Sequence, residues 1–246
     1  MKKYIFILMF LSISFAYTKD DPKAAEAMKN IVSKLQSHNS LSADIVYKIK
    51  PLFTKIFDVY KGKVDLIRRT DDKNFGVYFW YSLADTLDKY YDGNEYYSIN
   101  HKTKELTYYN ISKGDLGGFY QDTDCELIHI PFIAPNTLLS LVNSDNNLSI
   151  KNYKGNKNLR VITVIYPEEN QLKNEKMEII FNKTNFDIVK IISSGEYRNS
   201  EQINEWNLSN IVYDKVNENT LKSEFNKFSN YKRIKFVKPN NVNNGN

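Results

Sequence analysis

Cys125 is the only cysteine in the chain, and His129 stands four residues beyond it. A thiol beside an imidazole is the raw material of nucleophilic or redox chemistry, because the imidazole can take the thiol proton. Here the intervening Glu126-Leu127-Ile128 and the following Ile130-Pro131 do not make the helix that would bring positions four apart together. Cys125 therefore reads as a buried structural thiol. The three histidines, His38, His101 and His129, are widely spread and do not match metal-ligand spacing. Glu168 and Glu169 are adjacent in a Pro-Glu-Glu-Asn turn, which suits solvated side chains better than an acid–base pair. Asp115, Asp122 and Asp124 lie in a glycine-rich stretch but lack the alternating spacing of a calcium loop. No nucleophile elbow, phosphate-binding glycine loop or zinc motif occurs. The sequence thus predicts no enzyme, no metal site and no cofactor.

The elements that would position any site begin with an export signal. Lys2 and Lys3 precede an apolar run from Tyr4 to Phe15, and Ser14-Phe15-Ala16 puts small residues where a signal peptidase reads. Residues 1–16 are expected to be a signal peptide cleaved after Ala16. The run is short for a bilayer span, which needs about 20 apolar residues, so no stable membrane span is expected after cleavage. The whole chain carries 41% hydrophobic residues, with 18 Tyr and 14 Phe, and aromatics favour strands. Removing Lys2 and Lys3 lowers the formal charge from +5 to +3. That excess is scattered, so no nucleic-acid partner is expected. A single cysteine leaves an exported chain without an internal disulfide.

Asp21-Pro22 provides an N-cap and a first helical residue. Ala25, Met28, Ile31, Val32 and Leu35 then recur at helical spacing, predicting a helix that ends near Ser37 or His38. From Leu41 the period changes to two, with Leu41, Ala43, Ile45, Tyr47 and Ile49 on one face, until Pro51 stops the strand. Strands follow over residues 56–68, with Gly62 as a bend or bulge, and over 75–82, where Val77-Tyr78-Phe79-Trp80-Tyr81 is apolar on both faces. Strands 87–91 and 96–99 flank an Asp92-Gly93 turn, and 106–110 closes the meander. Residues 112–135 read as a long loop, and Pro135 to Val142 as a short helix. Strands then return at 159–166, at 176–181 and 186–193 around Asn182-Lys183-Thr184-Asn185, at 203–213 and at 231–237. In all, about ten or eleven strands and two helices are expected. Residues 17–239 form one domain, and 240–246, with five asparagines in seven residues, form a disordered tail.

The order of these elements resembles the LolA/LolB-like periplasmic lipoprotein-carrier superfamily. The resemblance rests on the helix with Ala25, Met28, Val32 and Leu35, the strand Leu41-Ser42-Ala43-Asp44-Ile45, and Gly62-Lys63-Val64-Asp65-Leu66-Ile67-Arg68-Arg69. Tyr91-Asp92-Gly93-Asn94-Glu95-Tyr96-Tyr97, Ala134-Pro135-Asn136-Thr137-Leu138-Leu139 and the terminal segment from Phe225 to Lys238 extend it. Arg68-Arg69 and Phe75 match part of the family's arginine-bearing strand, while Gly76 and Val77 stand at its second arginine.

This resemblance implies an α+β, mostly β fold. It is an incomplete, strongly curved antiparallel β-barrel covered by the N-terminal helix and the short middle helix. It also implies a periplasmic, non-enzymatic carrier or sensor that binds an acyl chain, lipid or acylated lipoprotein in the concave face. The expected apolar lining is Met28, Val32 and Leu35 from the helix, Tyr78, Trp80, Tyr97 and Tyr109 from the sheet, and Leu138. The helix stripe is expected to face Trp80 and Tyr97. The alternative reading is an envelope protein-interaction or structural module with no small ligand.

Overall fold

The computed structural model describes residues 21–72, 75–83, 87–110, 135–167 and 173–236. Helix α1, Pro22–Gln36, starts where the sequence places it: the Asp21 carboxylate accepts the Lys23 N–H, and Pro22 needs no hydrogen bond at the first position. Ser37 caps its other end. Ala24, Met28, Ile31, Val32 and Leu35 lie buried along one face, the stripe that a period of 3.6 residues produces.

All strands join one open, curled sheet: β1 Ser40–Lys50, β2 Asp58–Arg68, β3 Val77–Leu83, β4 Leu87–Tyr91, β5 Glu95–Asn100, β6 Glu105–Asn110, β7 Asn147–Asn152, β8 Leu159–Ile165, β9 Lys173–Asn182, β10 Ile188–Tyr197, β11 Ser200–Tyr213 and β12 Lys232–Lys235. The spatial order is β12-β6-β5-β4-β3-β2-β1-β11-β10-β9-β8-β7. Neighbours run antiparallel except β12, which pairs parallel with β6. Helix α2, Asn136–Val142, packs beside α1, and helix α3, Glu218–Asn226, lies over β2 and β3.

Four expectations change. The sheet has a strand, β7, that the polar stretch after Val142 concealed: Leu148 is its one buried residue. A third helix, α3, precedes β12; Asn217 caps it, its side chain accepting the Thr220 N–H at 3.1 Å. The first residues of the 56–68 stretch belong to a turn, and β2 begins at Asp58. Gly62 is not a bulge: pairing with β1 runs unbroken from Asp58 to Ile67. Glycine is needed there because a Cβ would collide with the Ser82 carbonyl of β3. At the Asp92-Gly93 turn the expectation holds, with Gly93 at φ +99°.

Alternation along the strands divides the sheet into two faces. The inner face carries Leu41, Ala43 and Ile45 of β1, Val64 and Leu66 of β2, Phe79 and Tyr81 of β3, Tyr91, Tyr96 and Tyr109, and continues through Ile162, Val164, Ile179, Ile191 and Trp206. With the α1 stripe and Leu138 of α2 it forms one buried cluster. Among the described residues the outer face carries its buried aromatic cluster across β3 to β6, where Trp80, Tyr90, Tyr97, Ile99 and Leu106 are buried with Leu221 of α3; farther along, Val161 of β8 and Ile180 of β9 are a buried pair on the same face.

Candidate functional site

The sequence-predicted lining divides between these faces. Met28, Val32, Leu35, Tyr109 and Leu138 belong to the inner cluster. Trp80 and Tyr97 belong to the outer one, and Tyr78, one register step along that same outer face, touches both clusters. The α1 stripe therefore does not face Trp80 and Tyr97. The occupant of their face is the C-terminal segment: Phe225 stacks on Tyr90 at 4.4 Å and meets Tyr97 at 4.6 Å, and Phe228 lies parallel to Trp80 at 5.8 Å. Parity correctly puts Tyr78 and Trp80 together, but parity does not say which helix covers a face. A signal for the right one stands in the sequence, since Leu221, Phe225 and Phe228 follow i, i+4, i+7 spacing.

Burial shifts the phenols it encloses. Tyr90 and Tyr97 are both pushed well above the ordinary tyrosine range, first by burial; in Tyr97 a hydrogen bond to Glu95 adds to it, and in Tyr90 the nearby Asp92 charge. Both rings stay neutral at any physiological pH and act as packing.

The inner side bears the groove. The C-terminal half of α1 and the end of α2 leave a cleft of about 660 Å³ between them, lined by Lys29, Val32, Ser33, Gln36, Ser37, Leu139, Val142 and Asn143. Val32, Leu139 and Val142 make its apolar floor, and the polar residues make its rim. Val32 is the one predicted lining residue that reaches this groove. Below it, the described part of the concave face is filled by side chains: Met28, Ile31, Ile45, Leu66 and Ile162 are all fully buried.

Arg68 holds the helix against the sheet. Its Nε donates to the Leu35 carbonyl at 2.6 Å, satisfying one of the last carbonyls of α1. Burial of the guanidinium pulls its pKa down to about 10, so it remains charged below that pH. His38 closes the same corner. Lys34 Nζ lies 3.1 Å from His38 Nε2, and His38 Nδ1 lies 2.7 Å from Asp214 Oδ2, with the imidazole stacked 4.1 Å from the Tyr213 ring. With an ammonium donating to Nε2, the ring proton sits on Nδ1 and is donated to Asp214. The His38 contact holds Asp214 below the usual carboxylate range. The ring is thus a strut between the α1–β1 corner and the end of β11, with an ammonium and a carboxylate on its two nitrogens.

His101 is also a strut. Its Nε2 lies 3.1 Å from Asp88 Oδ2, its Nδ1 3.3 Å from the Tyr231 hydroxyl, and Phe228 packs on it at 4.9 Å. Among the described residues no group of three or more His, Cys, Asp or Glu side chains is placed to hold a metal ion, and no helix is long and apolar enough to cross a membrane. Cys125, His129, the aspartates at 115, 122 and 124, Glu168-Glu169, the signal segment and the 240–246 tail lie outside the described residues.

No protein-family profile and no curated protein matches the sequence. Solved structures do match. An uncharacterized conserved protein from Thermus thermophilus is 8% identical over 87% of this chain and 99% of that one, with a TM-score of 0.50. The lipoprotein LppX from Mycobacterium tuberculosis is 11% identical over 80% of this chain and 99% of that one, with a TM-score of 0.44. A LolA superfamily protein from Nitrosomonas europaea is 9% identical over 82% of this chain and 98% of that one, with a TM-score of 0.38. At such identities the likeness is one of fold. The chain has the open, helix-covered, curved sheet that its resemblance to the LolA/LolB-like superfamily implies.

Proposed function

We propose that the protein is a non-enzymatic carrier or sensor of an acyl chain, borne on a lipid or a lipoprotein, and that it works in the periplasm after removal of residues 1–16. The observation that supports this reading is the groove between α1 and α2. Its volume of about 660 Å³ lies within the 300–1,000 Å³ or so typical of small-molecule sites. Its floor of Val32, Leu139 and Val142 offers apolar burial, about 0.8 kcal/mol for each methylene removed from water. Lys29 at the rim supplies a cation for an anionic headgroup. The ligand enters between the helices, and the aromatics Trp80, Tyr97 and Tyr78 serve the fold instead of lining the site.

The second reading, an envelope protein-interaction module without a small ligand, is favoured by the filled concave face beneath α1. A titration with a fluorescent fatty acid, next to a thermal melt, separates the two. Val142 is half-buried, so Val142→Glu is expected to weaken acyl-chain binding roughly tenfold or more, since a carboxylate on the floor must be desolvated, with little change in the melt. Native mass spectrometry of protein from the periplasm should show co-purified lipid. If the parent binds no fatty acid and carries no lipid, the carrier reading falls and the module remains.

A further inference from the structure

The turn joining β1 to β2, residues 51–57, and the first residues of β2 expose hydrophobic side chains that the carrier reading does not use. Phe53 is 69% exposed, Ile56 75%, Phe57 40% and Val59 53%. These are four of the six exposed large hydrophobics among the described residues, so the exposure is concentrated at one point of the surface. Taking about 200 Å² for a fully exposed aromatic side chain, the patch amounts to roughly 400 Å², the size at which a surface patch on a monomer tends to be functional.

The turn is built to hold that patch out. Thr54 N–H and its hydroxyl both bond the Pro51 carbonyl, at 3.4 and 3.0 Å. Phe53 sits at φ +64°, a left-handed conformation that a bulky aromatic avoids. Its N–H is held by the Ser200 hydroxyl, and its ring meets Tyr197 edge-on at 6.4 Å, both from the neighbouring β10–β11 turn. The two turns together brace a strained residue whose ring points away from the core.

The charges beside the patch favour one occupant. Lys55, Lys61 and Arg198 are exposed around it, against the exposed acid Asp58, while the exposed Glu201 is paired with Lys50 at 2.8 Å. A patch of roughly 400 Å² is half of the approximately 800 Å² that each side of a stable protein interface buries. A narrow tip of Phe and Ile side chains ringed by Lys and Arg instead suits the headgroup region of a bilayer, where rings and alkyl groups enter and cations meet anionic lipid.

We propose that the β1–β2 turn is a membrane-docking tip that inserts Phe53 and Ile56 into an anionic lipid surface. The tip lies at the far end of the eleven-residue β1 from the α1 corner. Docking through it therefore leaves the groove between α1 and α2 clear, and the inference stands apart from the acyl-chain reading.

The test is flotation of the purified protein with vesicles of mixed phosphatidylethanolamine and phosphatidylglycerol, against vesicles of phosphatidylcholine alone. The parent should float with the anionic vesicles and not with the neutral ones. Phe53→Asn combined with Ile56→Ser should bind at least roughly tenfold more weakly, with the melting temperature and the fatty-acid affinity of the parent; Asn suits the left-handed backbone, so loss of binding cannot come from a broken turn. Lys55→Glu should weaken binding to a smaller degree. A parent that does not float, a double variant that floats like the parent, or equal flotation with phosphatidylcholine overturns the proposal. So does light scattering that finds a parent dimer converted to monomer by the double variant, which would assign the tip to a second copy of the chain.

Discussion

The two faces of the sheet solve the same burial problem differently. The inner face is apolar from β6 to β8, and its cluster, centred on Met28, Ile31, Ile45, Leu66, Tyr91, Phe181 and Ile191, ties both halves of the sheet to α1 and α2. The outer face has an aromatic cluster over one half, and over the other only the buried pair Val161 and Ile180 among the described residues. In the cluster, aromatic rings, Trp80, Tyr90 and Tyr97, are covered by Leu221 and Phe225 of α3 and by Phe228 after it. Between the two, over β1, β11 and β10, charges cover the strands: Glu205 takes Lys48 at 3.3 Å, Lys190 at 3.2 Å and the Asn207 amide at 2.7 Å. A continuous cluster unfolds as a unit, whereas a local patch under a nine-residue helix can open by itself. The inner face thus supports the groove, and the outer face fastens the C-terminal segment.

The largest effect should come from the inner face. Ile31 is fully buried between α1 and the sheet, and Ile31→Ala should cost about 3–4 kcal/mol in urea unfolding, near the middle of the range for such truncations. The loss should appear in one cooperative transition seen equally by tryptophan fluorescence and circular dichroism. A transition that splits would mean that the inner cluster is two units.

Leu221→Ala tests the outer face and should cost about 2–3 kcal/mol, because the patch around it is smaller and can relax. Hydrogen exchange should rise over residues 218–235 and stay slow in α1. If the amides of α1 exchange faster by the same factor, the faces are coupled and the contrast between them fails.

The smallest effect belongs to the charged strands. Burial alone would raise the Glu205 pKa, but hydrogen bonds from Asn207, Lys190 and Lys48 outweigh it, and its folded-state pKa is lowered. A depressed carboxylate contributes stability above its unfolded pKa and loses it as the pH falls through the folded value. Glu205→Gln should therefore cost about 0.5–1 kcal/mol at neutral pH, within the range of solvent-screened pairs. The gap between parent and variant should close on acidification below the ordinary carboxylate pKa. A gap that is constant from neutral pH to pH values below that range would place the loss in packing instead.

Much of the inner face was legible in the residues themselves. Asp21-Pro22 and the spacing of Met28, Ile31, Val32 and Leu35 specify α1 locally, through capping and a period of 3.6. The alternation from Leu41 to Ile49 and the Asp92-Gly93 turn specify β1 and the β4–β5 hairpin through backbone geometry alone. The run Val77-Tyr78-Phe79-Trp80-Tyr81 also announces burial on both sides of β3. These signals are local: each depends on residues within a turn or a strand of one another.

What covers each face is decided elsewhere in the chain. Trp80 and Tyr97 are as apolar as any lining residue, and only the return of residues 218–231 over β3, β4 and β5 assigns them to packing. β7 has too few buried positions to announce itself, and it becomes a strand because β8 supplies its partner. The need for glycine at position 62 likewise comes from the Ser82 carbonyl twenty residues away in sequence. The helix stripe, the strand faces and the tight turns follow from local sequence, because periodicity and backbone dihedrals are properties of neighbouring residues. The tertiary structure alone decided which helix meets which face, where the groove opens and that Phe53 and Ile56 project from the β1–β2 turn, because those depend on contacts closed between distant segments of chain.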